Sequence, residues 1–340
     1  MKRLFPDLRK KHLAALLALL FSLVLLPVSA LAETSGKVEQ WLERLGPALN
    51  ATSYRGVFVY ARGDQVHSMR IIHRFRDGVV DERLVMQDGG AGEIVRKGSD
   101  VVCVLPDQGR FKLEQVIPSG PFADVFNRKF MPVGRWYDAH VMGEDRVAGY
   151  DAVRIALTAK DNNRYSYQLW LEKRSGLLVK SQVQGASGQV LEHFQFTSLE
   201  ITDDIHDDEF KIHTEGPEIT GKLGPQGVRV GAESKHRMND WELGWRPAGF
   251  IASAIPQAPK GHAVAYSDGL ATFSVFVEPA GQLKMPQGAS RIGATTVYTH
   301  DLTSGGKQFL VTVVGEIPPE AARRVAESVR MQKGTQAGAS

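Results

Sequence analysis

Cysteine is almost missing from this chain: Cys103 is the only one among 340 residues. No internal disulfide can form, so whatever holds the fold together is packing and hydrogen bonding. Cys103 itself sits in Val101-Val102-Cys103-Val104-Leu105. That run reads as a buried strand, where a thiol is a small hydrophobe and burial disfavours the reactive thiolate. Catalytic signatures are missing too. There is no Gly-x-Ser-x-Gly elbow, no His-Glu-x-x-His and no Walker loop. Gly89-Gly90-Ala91-Gly92 is glycine-rich, but it joins two strands and not a strand to a helix, which excludes a phosphate cradle of the usual kind.

An excess of either charge is also lacking. The chain has 41 Lys+Arg and 38 Asp+Glu, but five basic residues and one acid lie in the first 32 positions, leaving 36 and 37. The basic character of the whole therefore belongs to its start, and nucleic acid is not an expected partner.

Those 32 residues read as a cleavable export signal. Lys2, Arg3, Arg9, Lys10 and Lys11 form a basic start, Leu13 to Leu26 an apolar run, and Ala30-Leu31-Ala32 a signal-peptidase site before Glu33. A run of 14 residues is shorter than the roughly 20 that a bilayer core requires, which argues against a permanent anchor. No cysteine follows the site to carry a lipid. The expected location is the periplasm of a diderm bacterium.

The remaining 308 residues suggest two domains. Val38, Trp41, Leu42, Leu45 and Leu49 fall at helical spacing, with a break expected at Gly46-Pro47. Short runs rich in Val, Ile, Phe and Tyr follow from Tyr54 to Leu105, separated by turns such as Arg62-Gly63-Asp64 and Asp77-Gly78. These are consecutive antiparallel hairpins. A helix carrying Phe122, Val125, Phe126 and Phe130 on one face interrupts them. Strands resume at 138–142, 151–158, 165–172, 177–184 and 190–201. A sheet this wide must twist and curl, and helices over its concave side would enclose an apolar hollow.

Residues 203–236 change in character, first acidic and then rich in Gly and Pro. Two further hairpins turn at Ser267-Asp268-Gly269 and at Gly305-Gly306, and Pro318-Pro319-Glu320 opens a last helix. The expected fold is mainly β of the α+β kind: a large curled antiparallel half-barrel with covering helices, plus a smaller antiparallel sheet with a C-terminal helix. The boundaries are a signal at 1–32, the large domain at 33–212, a linker at 213–236, the small domain at 237–331 and a disordered tail at 332–340.

Candidate sites are few. Asp203, Asp204, His206, Asp207, Asp208 and Glu209 have neither EF-hand nor zinc spacing, so a solvated acidic segment is the simpler reading than a metal site. His67 and His73 share a strand side about 20 Å apart, too far for one metal. The sequon Asn50-Ala51-Thr52 carries no meaning in an ordinary bacterial host. Trp241, Trp245, Pro247 and Phe250 are either an exposed partner surface or a core or inter-domain plug. No catalytic residue, cofactor or metal is indicated.

Several runs resemble the RseB/MucB family of periplasmic sigma-E regulators. They are Tyr54-Arg55-Gly56-Val57-Phe58-Val59-Tyr60, Ile72-His73-Arg74 with Glu82-Arg83-Leu84, and Trp245-Arg246-Pro247-Ala248-Gly249-Phe250. Arg146-Val147-Ala148-Gly149-Tyr150-Asp151, Trp170-Leu171-Glu172 and Gly176-Leu177-Leu178 resemble the LolA/LolB lipoprotein-carrier fold. The resemblance implies a non-enzymatic negative regulator of the envelope-stress response. Such a protein binds the periplasmic domain of an RseA/MucA-like anti-sigma factor and shields it from the site-1 protease DegS. A lipid or lipopolysaccharide fragment releases it, and a homo-oligomer is compatible. On that reading Trp241, Trp245 and Phe250 lie near the partner surface. Phe122, Val125, Phe126 and Phe130 line the hollow or form plain core. Arg128 and Lys129, with Arg110, Lys112 and Arg135, meet lipid phosphates or form a solvated face. A periplasmic lipid or lipoprotein carrier is the alternative, against which the second domain argues.

Overall fold

The computed structural model describes residues 28–89, 92–105, 109–113, 133–214, 241–253, 263–280 and 286–332. Helix α1 (Val28–Ala51) leads into six strands: β1 (Tyr54–Arg62), β2 (Gln65–Arg76), β3 (Val79–Met86), β4 (Glu93–Lys97), β5 (Asp100–Leu105) and β6 (Gly109–Leu113). Five more follow: β7 (Tyr137–Val147), β8 (Tyr150–Ala159), β9 (Ser166–Glu172), β10 (Leu178–Gln184) and β11 (Val190–Ile201). All eleven form one antiparallel sheet ordered β6-β5-β4-β3-β2-β1-β11-β10-β9-β8-β7. The two runs of hairpins are thus joined where the first strand pairs with the last. Several turns are two residues long with both φ values positive, as at Asp77-Gly78 (53° and 80°) and Gly305-Gly306 (57° and 72°). That geometry matches the right-handed strand twist and fixes the register of each hairpin.

The sheet is open, with β6 and β7 at its edges, but it is strongly curled. Strand β7 returns against β11, four places away in the order, and the Ile201 N–H donates to the Tyr150 hydroxyl at 3.1 Å. α1 lies inside the curve, against β2, β7 and β10. Its Val38, Leu42 and Leu45 are buried with Tyr54, Phe58, Ile155, Leu157, Leu169 and Phe196 from alternate strand positions. Burying each such side chain is worth about 1.5–3 kcal/mol.

The expected break at Gly46-Pro47 does not occur. α1 continues through Pro47 to Ala51. Pro47 removes its own N–H from the helical ladder and its ring crowds the preceding turn, but Leu45 and Ala48 beside it are buried against the sheet and hold the helix. Strand β7 is longer than the sequence suggested, because a bulge between Val141 and Gly143 interrupts its alternation.

The second domain has a six-stranded sheet, β13-β14-β15-β18-β17-β16, made of β13 (Ile251–Ser253), β14 (Ala263–Ser267), β15 (Thr272–Pro279), β16 (Gly288–Ile292), β17 (Thr295–Ser304) and β18 (Lys307–Gly315). Helix α2 (Pro319–Glu327) packs on β16, β17 and β18. A short pair, β12 (Trp241–Leu243) with β19 (Val329–Met331), completes it. Phe273, Val275, Val277, Phe309, Val311 and Val313 alternate inward against Ala321, Ala322, Val325 and Ala326 of α2. The short strands β6, β12, β13, β16 and β19 were not foreseen, since runs of three to five residues show little of a period.

Candidate functional site

Two turns of the small domain are sunk into the large one. The first joins β14 to β15. Asp268 Oδ1 accepts the N–H groups of Leu270 and Ala271 at 3.0 and 2.9 Å, which closes the turn. Its Oδ2 accepts from Arg164 Nη1 at 2.5 Å and from the Tyr137 hydroxyl at 3.0 Å. Both charged side chains have zero exposure. Arg164 also holds Asp161 through two bonds of 3.1 Å and donates to the Ala248 carbonyl at 2.6 Å. Its guanidinium is ringed by Trp136, Tyr137 and Phe250, with ring centres 5.1, 5.6 and 5.3 Å away. Every polar edge of a buried arginine therefore meets an acceptor and its faces meet aromatic rings, which is what makes burying the charge tolerable. Burial beside Asp268 pushes the Tyr137 phenol well above its usual value.

The second turn joins β16 to β17. Ala294 is fully buried, and its N–H donates to Glu192 Oε1 on β11 at 3.0 Å. Glu192 also accepts the Tyr60 hydroxyl at 2.7 Å and pairs with Arg62 Nε at 3.4 Å. Arg62 donates in turn to the Ile292 carbonyl at 3.2 Å. Gly293, with φ +60°, lies so close that a Cβ there would sit 2.5 Å from Arg62 Cγ and 2.7 Å from Glu192 Oε1. Between the two turns the Tyr165 hydroxyl donates to the Ile317 carbonyl at 3.4 Å. Leu270 and Ala294 belong to the large domain's own core. This is a keyed joint, not a flexible tether.

On the outer face of β2–β4, residues 202–214 form a strap. Ile205 and Phe210 are buried there with Ile72 and Val95. Arg74 binds Asp207 and Asp81, both at 2.6 Å, while Arg55 reaches Glu200 at 2.8 Å and Glu209 at 3.3 Å. Glu93, almost without exposure, accepts Arg83 Nε at 2.6 Å and the N–H groups of His213 and Thr214 at 3.0 and 2.8 Å. Those donors hold its carboxyl below the ordinary range despite burial. Asp207 and Glu209 of the acidic cluster are thus held by arginines on the sheet, while Asp203, Asp204, His206, Asp207 and Asp208 all stay exposed to solvent. His73 is fully buried, stacked on Tyr54 at 5.1 Å and 3.1 Å from Glu82 Oε2, so its surroundings are structural.

Trp241 and Phe250 require a correction, because both are buried core residues of the small domain and present no free aromatic surface. Trp241 packs edge-on against Phe309, and Phe250 faces Arg164 at the joint. Trp245 alone is half-buried, with Arg324 3.9 Å over its ring. Trp241 and Phe250 are thus packed as core, Phe250 beside the joint between the domains. Phe122, Val125, Phe126, Arg128, Lys129 and Phe130 lie outside the described residues, as do the side chains of Arg110 and Lys112. Arg135 is exposed beside Trp136. The Arg164–Asp268 lock was not foreseen. Ser267-Asp268-Gly269 was legible as a turn, but nothing local marks its aspartate for burial against a residue 104 positions away.

Cys103 is buried and its thiol is pushed up to about 11 by burial. Among the described residues no group of His, Cys, Asp and Glu is arranged to hold a metal ion, and no helix is long and apolar enough to cross a membrane.

Comparison with known proteins places these features in one family. The profile of the MucB/RseB N-terminal domain matches residues 37–214, and that of the MucB/RseB C-terminal domain matches residues 235–330. The sigma factor AlgU regulatory protein MucB of Pseudomonas aeruginosa is 35% identical over 334 residues, 95% of this chain and 98% of that protein. The sigma-E factor regulatory protein RseB of Escherichia coli K12 is 27% identical over 299 residues, 85% and 89% of the two chains. Among solved structures, the Pseudomonas aeruginosa MucA/MucB complex aligns with a TM-score of 0.66 at 33% identity, covering 87% of this chain and 99% of that one. A structure of MucB in complex with MucA(peri) aligns at 0.65 with 32% identity, over 87% and 99%. With both of its domains matched and a relative of this identity along nearly its whole length, the chain belongs to the MucB/RseB family.

Proposed function

We propose that this protein is a negative regulator of an envelope-stress sigma factor, and that it acts by binding, not by catalysis. It binds the periplasmic region of a membrane-spanning anti-sigma factor and shields it from site-1 proteolysis. A lipid or lipopolysaccharide fragment weakens the complex. The observation that carries the reading is the match of both domains to MucB, including MucB bound to MucA. The keyed joint supports it, because a partner that touches both domains needs them held at one angle. A ligand can release such a complex only through different affinities for the bound and free protein.

Trp245 is the member of the aromatic group with surface left to offer a partner. Phe122, Val125, Phe126 and Phe130 are proposed to line the lipid site, with Arg128 and Lys129 meeting its phosphates. The test is calorimetric titration of residues 33–340 into the periplasmic segment of the host's anti-sigma factor, with and without lipopolysaccharide fragments. Saturable binding that the fragments weaken is expected, and Arg128→Glu with Lys129→Glu should blunt the weakening. No binding in either arm would sink the regulator and leave a lipid carrier as the better reading.

A further inference from the structure

Where the loop after β12 passes the end of α2, an aromatic ring and an unpaired cation are held together on the surface of the small domain. The Gly244 N–H donates to the Ser328 carbonyl at 2.9 Å, and Ser328 Oγ donates to the Trp245 carbonyl at 3.0 Å. Further along, Arg246 Nε donates to the Phe250 carbonyl at 2.9 Å, and the Ala248 carbonyl accepts from Arg164 of the large domain at 2.6 Å. The loop is thus fixed from both domains. Trp245 packs on the core of the small domain but stays half-buried, and the Arg324 guanidinium lies over its ring, 3.9 Å from the centre. The N–H donors of Arg324, itself exposed, make no hydrogen bond among the described residues, and no carboxylate there pairs with Arg324 or with exposed Arg246. Glu320 and Glu327 flank Arg324 one turn away on either side, but both are taken by Arg323, at 2.5 and 2.6 Å. Glu242 is taken by Arg330 at 2.7 Å.

We propose that Trp245 and Arg324 form a docking platform for an acidic peptide segment, which sets a carboxylate on the Arg324 fork and an apolar side chain against the Trp245 indole. The proposal rests on the regulator reading, and on that reading the segment belongs to the periplasmic region of the anti-sigma factor. Charge selects the occupant. A guanidinium stacked on an indole keeps its edge of N–H donors outward, in the geometry that takes a carboxylate in two parallel bonds. The ring fixes the cation and the hydrogen-bonded loop fixes the ring, so little freedom is left to lose on binding. Tryptophan and arginine are also the residues in which interface energy concentrates. An anionic membrane fits less well. Glu242, Glu320 and Glu327 are exposed around the platform, and a broad negative surface would meet them together with Arg324. A narrow segment with a single carboxylate reaches Arg324 between them.

The test titrates residues 33–340, natural and Arg324→Glu, with the periplasmic segment of the host's anti-sigma factor. Lys211→Glu, an exposed position on the strap of the large domain, makes the same change in net charge and serves as the control. Arg324→Glu should weaken binding about 30-fold, the loss of an interface hot spot, and Lys211→Glu should leave it within a few-fold. Arg324→Lys, which keeps the charge without the fork, should fall between the natural protein and Arg324→Glu. Circular dichroism checks that each variant folds; should Arg324→Glu fail, Arg324→Gln replaces it with a loss of about tenfold expected. Binding by the natural protein that Arg324→Glu weakens no more than Lys211→Glu would overturn the platform and leave the regulator standing. No binding by the natural protein would overturn both. Flotation with phosphatidylglycerol vesicles that Arg324→Glu abolishes would give the platform to a membrane and overturn the peptide.

Discussion

Asp268→Ala tests the joint at its most buried point. The aspartate accepts four hydrogen bonds, from Arg164, Tyr137 and the N–H groups of Leu270 and Ala271, and neither it nor Arg164 has any exposed side-chain surface. Truncation leaves a buried guanidinium edge and a phenol without their acceptor, and it opens the turn that Leu270 carries into the large domain. Breaking a buried pair by removing one partner costs about 3–5 kcal/mol. Asp161 keeps hold of Arg164 from the other side, so a value near the lower end is expected. Because the contact bridges the domains, the loss should also uncouple them. Urea unfolding followed by tryptophan fluorescence and by circular dichroism should then show two transitions that no longer coincide. Asp268→Asn, which keeps the turn and removes the charge, should cost less. Combining Asp268→Ala with Arg164→Met should recover part of the loss, since no unpaired buried charge remains. A cost below about 1 kcal/mol for Asp268→Ala, with coincident transitions, would refute the account, because so small a loss fits only a solvated pair.

Further outcomes follow from individual contacts. Gly293→Ala places a Cβ against Arg62 and Glu192 at a positive φ, and should destabilise the joint by about 1–3 kcal/mol, read as a lower midpoint in thermal unfolding. Glu93 has a lowered carboxyl, so its stabilisation is complete above the ordinary carboxylate value and is lost as pH falls through its folded one. Amide protection at His213 and Thr214 should accordingly collapse only on acidification below about pH 4.5, and Glu93→Gln should weaken it at neutral pH; protection unaffected by either change would show that the strap is held otherwise. Cys103 should resist a thiol reagent at pH 8 in the folded protein and react on unfolding, whereas rapid native reaction would contradict its burial.

Much of the architecture was legible because it is written in short-range pattern. The hairpins from Tyr54 to Leu105 were readable from alternation and from turns such as Asp77-Gly78, whose positive φ values few other residue pairs tolerate. α2 was readable from Pro319 at its start and from the spacing of Ala322, Val325 and Ala326, whereas Val329, at the same spacing, lies beyond the helix in β19. The family resemblance rested on runs such as Tyr54–Tyr60 and Trp245–Phe250, which are local as well. What failed locally has local causes: the bulge at Gly143 hid the second half of β7, and strands of three residues carry no period.

The sequence by itself determined the two-domain β-rich class, the turns, the buried character of Cys103 and the family. Tertiary structure decided everything that depends on which distant groups meet. Trp241 and Phe250 look alike as surface or core in a sequence, and only packing against Phe309 and Arg164 makes them core. Arg164 and Asp268, 104 residues apart, look like ordinary surface charges. Their energetic weight comes from the loss of water around them, and desolvation is a property of the folded arrangement that no local run of residues encodes.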